Sequence, residues 1–363
     1  MRPTGGSQLL APLTTVGVGG PARTLLTAGT EREIIDAVRT ADDSGDRLLI
    51  LGGGSNLVLP DQGFAGTVVR IATTGITRKD EDATCGGVMV RAEAGHPWDE
   101  LVRYTVLHAL SGLEALSGIP GSTGATPVQN VGAYGAEVSQ TIATVRTWDR
   151  QLGAVKSFSN SELQFGYRDS LLKRTTVNGS PRYVVLSVEF QLPLGRTSSP
   201  VRYAELARVL GVRVGQRAYS NAVRREVLAL RAAKGMVLDP SDRDTWSTGS
   251  FFTNPVVDAD VAARLPADAP RYPASENGAV KLSAAWLIEQ AGFRKGFGLA
   301  DDAGFAAAGG RAALSSKHTL ALTNRGGATA EDLLAVARLV ADGVEETFGI
   351  RLQPEPIIID ATL

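Results

Sequence analysis

Apolar residues recur at helical spacing in six parts of the chain. Such spacing places them on one face of a helix, where they can pack against a core. The predicted helices cover residues 31–44, 98–110, 203–210, 221–234, 281–292 and 329–348. Ser220 directly precedes one of these helices and Thr329 begins another, and both are typical N-caps. Gly235 and Gly349 follow the last residues of the same helices and are typical of helix ends.

Shorter apolar runs bounded by glycine, proline or polar clusters predict β-strands. These runs cover residues 48–51, 57–59, 67–71, 88–93, 142–148, 183–192, 319–323 and 352–360. Because helices and strands are mixed along the chain without strict alternation, the predicted fold class is α+β. A Pro/Gly/Ser-rich segment at residues 193–200 predicts a domain boundary.

Residues 111–135, SGLEALSGIPGSTGATPVQNVGAYG, interrupt these patterns. They hold six glycines, two prolines and a single charged residue, Glu114. Glycine and proline cost roughly 1 and 3 kcal/mol each in a helix interior, so this stretch is not helical. We interpret it as backbone that approaches a ligand closely and binds it through free N–H groups. The alternative is a buried glycine-rich turn between sheets.

A second glycine cluster, GGGSN at residues 52–56, directly follows the strand predicted at 48–51. Glycines that leave a strand suit contact between backbone amides and a phosphate. The cluster is not a dinucleotide-binding fingerprint, because Leu57 stands where the third glycine is required, and no Gly-Lys-Ser/Thr follows as in a P-loop. Alone it could be a tight turn, but two such loops could hold one extended ligand.

Composition excludes several classes of function. The chain has 363 residues, enough for two or three domains, and a net charge of −1, which offers no electrostatic case for nucleic acid or an anionic membrane. Its single cysteine, Cys85, cannot form an intrachain disulfide, which fits a reducing, cytoplasmic compartment, and it is interpreted as a buried or incidental thiol and not as a nucleophile. Three scattered histidines, His96, His108 and His318, do not predict a metal site.

No catalytic-triad or metallohydrolase motif is present. Few histidines together with long glycine-rich loops favour a redox enzyme in which a bound cofactor carries the chemistry. Arg168, Ser250 and Glu355 are candidates to supply charge and protons. Two of them have an ordinary alternative: Arg168 could pair with Asp169 on the surface, and the Ser250 hydroxyl could be satisfied by backbone.

Five motifs, in this order, resemble one family: GGGSN, IPGSTGATPVQNVGAYG, FGYRDS, GSFFTNP and QPEP. They are similar to those of the UDP-N-acetylenolpyruvoylglucosamine reductases, NADPH-dependent flavoenzymes of peptidoglycan precursor synthesis. The resemblance implies an FAD-binding domain of the vanillyl-alcohol oxidase (PCMH) type at 14–195, with subdomains 14–75 and 76–195. It implies an α/β substrate-binding domain at 196–350 and a carboxy-terminal strand at 351–363 that carries Glu355.

The resemblance also implies a reaction in two halves with non-covalent FAD. NADPH reduces the flavin and leaves, and the enolpyruvyl sugar nucleotide then occupies the same site. Hydride from flavin N5 reaches C3 of the enolpyruvyl group, and Ser250 protonates C2 to give UDP-N-acetylmuramate. Arg168 and Glu355 stabilise the enolic intermediate.

Ligand contacts follow from the same resemblance. Cofactor-binding residues are expected to be Gly52, Gly53, Gly54, Ser55, Asn56, Leu57, Pro120, Gly121, Ser122, Gly124, Ala125, Thr126, Gln129, Asn130, Gly132, Ala133, Gly135 and Arg231. Substrate-binding residues are expected to be Tyr134, Tyr203, Lys234, Asn254 and Lys281, with Tyr203 marking the branch of the family that closes a tyrosine loop over the diphosphate. The partners are then small molecules, without nucleic acid or membrane, and a monomer is expected.

Two other functions stay open from the sequence. One is an FAD-dependent alcohol or sugar oxidase of the same fold, which would have no reason to carry the set Arg168, Ser250 and Glu355. The other is a non-catalytic flavin- or sugar-nucleotide-binding protein, which would be expected to have lost one of these three residues.

Overall fold

The computed structural model of the protein describes residues 8–79, 87–273 and 278–363. Cys85, interpreted above as an incidental thiol, lies outside these residues. The helices of the described chain are α1 Glu31–Asp43, α2 Trp98–Leu107, α3 Leu171–Arg174, α4 Ala204–Leu210, α5 Ser220–Ala233, α6 Ala259–Ala263, α7 Ala284–Gln290, α8 Ala303–Ala308 and α9 Ala330–Phe348. The strands are β1 Gln8–Leu9, β2 Pro21–Ala28, β3 Leu48–Leu51, β4 Leu57–Val58, β5 Phe64–Ile71, β6 Ile76–Lys79, β7 Val88–Glu93, β8 Gly132–Ala133, β9 Ala136–Glu137, β10 Ile142–Asp149, β11 Ala154–Ser159, β12 Thr176–Val177, β13 Ser180–Pro181, β14 Tyr183–Leu192, β15 Ser247–Ser250, β16 Val256–Val257, β17 Arg271–Pro273, β18 Val280–Leu282, β19 Ala312–Leu314, β20 Ala321–Asn324 and β21 Ile357–Ile358.

The chain divides into two compact units. Of the described residues, the first unit holds 8–9, 21–54 and 63–237. The second unit holds 10–20, 55–62 and 238–363 without the undescribed positions. Each unit therefore takes more than one stretch of the chain, and each is described by itself below.

The first unit contains two sheets. One has the strand order β1-β2-β5-β3, in which β2, β5 and β3 run parallel. Helix α1 connects β2 to β3 and begins with a capping box, in which Thr30 and Glu33 satisfy each other's backbone N–H groups. Its buried face, Ile34, Ala37, Val38 and Ala41, joins the core of this unit.

The other sheet is antiparallel, with the order β11-β10-β14-β7-β6. Strand β14 is buried along most of its length, and its less buried positions, Glu189 and Gln191, are polar. Helix α2 adds the fully buried Trp98, whose ring lies 6.0 Å from that of Phe190 in β14. The glycine cluster at residues 52–56 directly follows β3, and the glycine-rich stretch at residues 111–135 follows α2.

Residues 196–237 form a small helical segment with a core of its own. Val201, Leu206, Ala207, Val223 and Val227 are its buried apolar residues. Helix α5 also packs on α2 and on the 3₁₀ turn Glu114–Leu116, both in the first unit. The predicted boundary at 195/196 therefore differs from the observed one at 237/238, because apolar packing ties this segment to the amino-terminal part.

The second unit contains the antiparallel sheet β15-β20-β19, on which helix α9 packs. Helix α9 begins at a capping box formed by Thr329 and Asp332 and ends at Gly349, in agreement with the predicted cap and stop. A second small sheet has the order β16-β18-β17, and β21 pairs in parallel with β4.

Three predicted elements differ from the structure. Ser220 is the first residue of α5 and makes no capping hydrogen bond, so its prediction as N-cap is wrong. The helix predicted at 281–292 is shortened to α7, because residues 280–282 pair with β16 and β17 as strand β18. The carboxy-terminal strand predicted at 352–360 is reduced to β21, with residues 353–355 joined to 251–253 by single backbone contacts.

Candidate functional site

The two glycine clusters come together in the first unit. A Cβ atom added to Gly53 would lie 2.5 Å from the Cα of Gly121, and one added to Gly52 would lie 2.5 Å from the Ser122 hydroxyl oxygen. Real Cβ contacts are essentially never this short, so the two backbones can meet at Gly53 and Gly121 only because Gly53 has no side chain. The two loops that could hold one extended ligand therefore lie against each other in the fold.

Backbone donors in the first cluster are not used by the protein. Among the described residues, the N–H groups of Gly52, Gly53 and Gly54 donate no hydrogen bond to a backbone or side-chain acceptor. Consecutive unsatisfied amides on a glycine turn form a concavity that attracts anions. This geometry suits a phosphate or pyrophosphate.

Other glycines of residues 111–135 serve packing within the protein. A Cβ on Gly124 would lie 2.6 Å from that of Ala94, and Gly124 donates its N–H to the Ala94 carbonyl oxygen at 2.7 Å. A Cβ on Gly112 would meet the Thr141 methyl at 2.8 Å. The ligand interpretation and the buried-turn alternative therefore each describe part of this stretch.

The FGYRDS motif is attached to the glycine-rich stretch by three side-chain hydrogen bonds. The Asn130 amide donates to the Gly166 carbonyl oxygen at 2.9 Å, and the Ser170 hydroxyl donates to that of Val128 at 2.5 Å. Arg168 Nη2 donates to the Gly132 carbonyl oxygen at 2.7 Å. Two motifs more than thirty residues apart thus form one local structure.

Asn130, predicted to bind the cofactor, has its side chain engaged within the protein. It is 1% exposed, its second N–H donates to the Glu137 carboxylate at 2.9 Å, and its oxygen accepts the Ser139 N–H at 3.1 Å. All the amide's N–H donors are therefore used, which makes Asn130 a residue that positions its neighbours.

Three predicted site residues have left-handed backbone. Their φ angles are 48° at Asn130, 51° at Tyr134 and 52° at Arg168, three of the seven positive values found at non-glycine residues of the described chain. Such backbone costs about 1–3 kcal/mol and is held by its surroundings, most often at functional sites. The strain is concentrated where the two motifs join.

Arg231 is a deeply buried cation beside the glycine-rich stretch. It is 6% exposed, and its Nε lies 3.5 Å from where a Cβ of Gly118 would stand. Nη2 donates to the Met236 carbonyl oxygen at 2.8 Å, whereas Nε is buried without a partner among the described residues. Burial lowers the pKa of the Arg231 guanidinium, while Tyr134 and Asp99 oppose that effect. A buried donor of this kind needs an acceptor from a ligand.

The predicted substrate residues of the first unit form a cluster. The rings of Tyr134 and Tyr203 meet edge to face, with centroids 5.5 Å apart. Burial raises the pKa of Tyr134 to about 12, so its phenol stays neutral and able to donate at neutral pH. Lys234 lies at the end of α5 and pairs with Glu205 at 2.7 Å.

In the second unit, the segments that carry Ser250 and Glu355 are neighbours. Glu355 donates its backbone N–H to the Phe251 carbonyl oxygen at 2.8 Å, and Thr253 donates to Gln353 at 3.0 Å. Phe251 and Phe252 are both buried, with ring centroids 5.1 Å apart, and anchor this end of β15. The structure thus brings together two residues that are 105 positions apart in the sequence.

The Ser250 hydroxyl is half-exposed and forms no hydrogen bond with the described residues of the protein. Gly249, with φ +79°, turns the backbone directly before it, and the ladder with β20 is irregular here. Asn56, predicted to bind the cofactor, donates its side-chain N–H to the Glu355 carbonyl oxygen at 3.3 Å. The last residue of GGGSN therefore supports the Glu355 segment.

The remaining predicted residues are distributed over both units. Asn254 accepts the Ala284 N–H at 3.0 Å and so caps the start of α7, and Lys281 lies in β18 opposite Val256. Leu57 pairs with Ile357 in the second unit. The first unit holds the other predicted cofactor residues of the long stretch, namely Pro120, Ala125, Thr126, Gln129, Ala133 and Gly135.

Sequence reasoning missed one residue of this region, Glu114. Its carboxylate is 2% exposed and accepts two backbone N–H groups, from Gly112 and from Ser199, each at 2.7 Å. The available signal was its position as the single charge in a stretch of 25 residues. A charge so placed is either bound by the protein or by a ligand.

The described residues offer neither a metal site nor a membrane-spanning helix. None of their His, Cys, Asp and Glu side chains form a group of three or more that could hold a metal ion. Within the same residues, no helix has the length and apolar character needed to cross a membrane.

Comparison with known proteins gives consistent matches. Residues 22–159 match the family described as FAD binding domain, and residues 239–359 match UDP-N-acetylenolpyruvoylglucosamine reductase, C-terminal domain. The reductase of Cutibacterium acnes is 52% identical over 354 residues, covering 98% of this chain and 90% of that protein. The reductase of Mycobacterium tuberculosis is 52% identical over 366 residues, covering 98% and 95%.

A solved structure agrees over the whole length. The crystal structure of UDP-N-acetylenolpyruvylglucosamine reductase from Thermus caldophilus has a TM-score of 0.64, 26% identity, and a coverage of 99% for both chains. The predicted α+β fold with an amino-terminal FAD-binding domain is confirmed by these matches.

The residues present fit FAD. Free amides of Gly52 and Gly53 suit its pyrophosphate, the close approach of Gly53 to Gly121 leaves no room for side chains, and the orphaned Nε of Arg231 requires an acceptor. With half of its residues identical to named reductases along nearly its entire length, this FAD-dependent oxidoreductase belongs to the UDP-N-acetylenolpyruvoylglucosamine reductase family.

Proposed function

We propose that the protein reduces UDP-N-acetylglucosamine enolpyruvate to UDP-N-acetylmuramate with NADPH as reductant. Bound FAD would supply the redox chemistry by accepting a hydride from NADPH and passing it to the enolpyruvyl group. The observation that carries the proposal is the pairing of the Ser250 and Glu355 segments, beside a hydroxyl with no internal partner. The reaction needs one proton in addition to the hydride. Ser250 is proposed to donate that proton, and Glu355 to stabilise the intermediate that accepts it.

Ser250 is the proposed proton donor to C2 of the substrate. A serine hydroxyl is a weak acid in water, but it can protonate a strongly basic carbanion in a site from which water is excluded. Its hydroxyl makes no competing hydrogen bond in the described chain, and the buried Phe251 and Phe252 hold its backbone. Both features support a hydroxyl directed to a ligand.

Arg168 and Glu355 are proposed to stabilise the enolic intermediate. An arginine keeps its charge at all relevant pH values and offers a planar fork to a carboxylate. The Arg168 backbone is held in a left-handed conformation, and Nη2 is oriented by the Gly132 carbonyl oxygen. Pro354 and Pro356 restrict the backbone of Glu355, and the hydrogen bond from its N–H to Phe251 holds it further.

Tyr134, Tyr203 and Lys234 are proposed to bind the sugar nucleotide, together with Asn254 and Lys281. Two phenols and an ammonium group are donors suited to diphosphate oxygens. Tyr134 remains a neutral donor because burial raises its pKa to about 12. We further propose that the protein acts on small molecules alone and in the cytoplasm.

Flavin spectroscopy tests the proposed function. The purified protein should be yellow, NADPH should bleach its absorbance without oxygen, and the enolpyruvyl sugar nucleotide should restore the colour with formation of UDP-N-acetylmuramate. A colourless protein that fails to take up added FAD would contradict the proposal. Hydrogen peroxide formed from a sugar or alcohol would favour the oxidase alternative instead.

A further inference from the structure

Glu114 occupies an unusual position for a carboxylate. It is 2% exposed and lies in the 3₁₀ turn Glu114–Leu116 of the glycine-rich stretch. One oxygen accepts the N–H of Gly112, two residues away, and the other accepts the N–H of Ser199, which is 85 residues away. Both distances are 2.7 Å, within the usual range of hydrogen bonds to a carboxylate.

Ser199 begins the segment that leads to Tyr203. Three residues separate Ser199, whose N–H is held by Glu114, from Tyr203, which is the N-cap residue of α4. Arg202, directly before it, lies against the backbone of Gly135, where an added Cβ would come within 3.0 Å of the arginine Cβ. Two of the residues that directly precede Tyr203 thus lie against the glycine-rich stretch.

A cavity of about 200 Å³ lies between these two segments. Glu114, Tyr134, Ser199 and Arg202 are among its lining residues. Val201 packs in the core of residues 196–237, against which Tyr134 also packs, whereas Ser199 and Arg202 border the open space. The hydrogen bond from Ser199 to Glu114 is therefore a direct polar link across the gap.

We propose that Glu114 is a positioning residue whose carboxylate holds the segment beginning at Ser199 and thereby determines where Tyr203 stands beside Tyr134. The link is intramolecular and independent of any ligand. Its consequence for sugar-nucleotide binding rests on the function proposed above. Glu114 touches neither substrate nor reacting atoms in this role.

The variant Glu114→Gln tests the link with little change of volume. Glutamine keeps one acceptor oxygen but directs two N–H donors at a site where two backbone donors must be satisfied. Local opening of residues 199–213 should become more frequent, and trypsin should cleave after Arg202, Arg208 or Arg213 about tenfold faster. Mass spectrometry of the full-length holoprotein identifies these sites.

Steady-state kinetics separates positioning from a general loss of stability. The KM for the enolpyruvyl sugar nucleotide should rise about tenfold, equivalent to about 1.4 kcal/mol. The FAD content per chain and the limiting rate of flavin bleaching by NADPH should stay at the wild-type level. This division is expected because the variant displaces a binding segment and leaves the reacting groups in place.

Asp149→Asn is the matched control. Asp149 is also fully buried, accepts the N–H groups of Gln151 and Leu152 at 3.0 and 3.3 Å in a turn of the same unit, and pairs with Arg182 at 3.0 Å, so the variant tests general destabilisation severely. This variant should change neither the KM nor the cleavage after the three arginines. Equal changes in both variants, or wild-type behaviour of Glu114→Gln, would overturn the proposal.

The test also covers a variant that does not fold and a wild-type protein that shows no turnover. If Glu114→Gln does not fold, Ser199→Pro removes the donor of the same hydrogen bond and leaves the carboxylate and Gly112 in place, with the same changes expected. If the wild-type protein shows no turnover, the proposed function fails, whereas the trypsin result still decides whether Glu114 holds the segment.

Discussion

At the scale of single residues, Ser250 has the environment that a proton donor requires. Its hydroxyl makes no hydrogen bond within the described chain, and its backbone lies next to the Glu355 segment. We expect Ser250→Ala to leave flavin bleaching by NADPH intact and to slow reoxidation by the sugar nucleotide by about 10²–10⁴-fold, the usual contribution of general acid catalysis. Anaerobic stopped-flow absorbance follows both steps.

Thr253→Ala is the control, because it removes a hydroxyl three residues further along. That hydroxyl donates to the Gln353 carbonyl oxygen at 3.4 Å and has no proposed role in the chemistry. Both half-reactions should then proceed at the wild-type rate. If Ser250→Ala slows the two half-reactions equally, Ser250 is not the proton donor.

At the scale of elements, the meeting of two glycine loops determines the shape of the cofactor site. Because a Cβ on Gly53 would lie 2.5 Å from the Gly121 Cα, Gly53→Ala must push the loops apart. We expect about tenfold weaker FAD binding, equivalent to about 1.4 kcal/mol. Titration of the apoprotein with FAD, followed by flavin fluorescence, measures this change.

Gly29→Ala is the corresponding control in the same unit. The nearest atom to its added Cβ is a Glu33 oxygen at 3.6 Å, an ordinary contact. FAD affinity should be unchanged in this variant. Wild-type FAD affinity in Gly53→Ala would show that the close approach of the loops is not needed for the cofactor.

At the scale of the whole molecule, charge is distributed unevenly along a nearly neutral chain. Residues 196–237 contain nine Lys and Arg residues and two Glu residues, although the net charge of the protein is −1. No ion pair is recorded for the exposed Arg196, Arg202, Arg208 and Arg213 among the described residues. A positive region next to Tyr203 should attract anionic sugar nucleotides over about one Debye length, 8 Å at physiological ionic strength.

The triple variant Arg196→Gln, Arg208→Gln, Arg213→Gln tests this attraction. We expect kcat/KM for the sugar nucleotide to fall about tenfold at low salt and to depend less steeply on ionic strength. The control, Arg39→Gln, Arg70→Gln, Arg103→Gln, removes the same charge from exposed positions elsewhere in the first unit. If kcat/KM falls equally in the two variants, the effect comes from the net charge of the protein, and local attraction next to Tyr203 is contradicted.

Local sequence determined most helices and strands of this protein, because periodicity, caps and glycine stops act over a few residues. Helix α9, between Thr329 and Gly349, is the clearest case. The order of five motifs was also sufficient to indicate the family, because each motif is a short continuous stretch of sequence that can be identified without the fold. Ser220 shows the limit: a good N-cap residue stands at the right place, but the helix begins one residue early.

Only the tertiary structure decided which of these pieces meet. It separated the glycines that approach each other, such as Gly53 and Gly121, from Gly124, which packs on Ala94. It moved the domain boundary to 237/238 and gave Glu114 a partner 85 residues away. Such contacts depend on the packing of elements far apart in the chain. The residue type alone does not determine the contact partner, because a glycine or a glutamate is compatible with many partners.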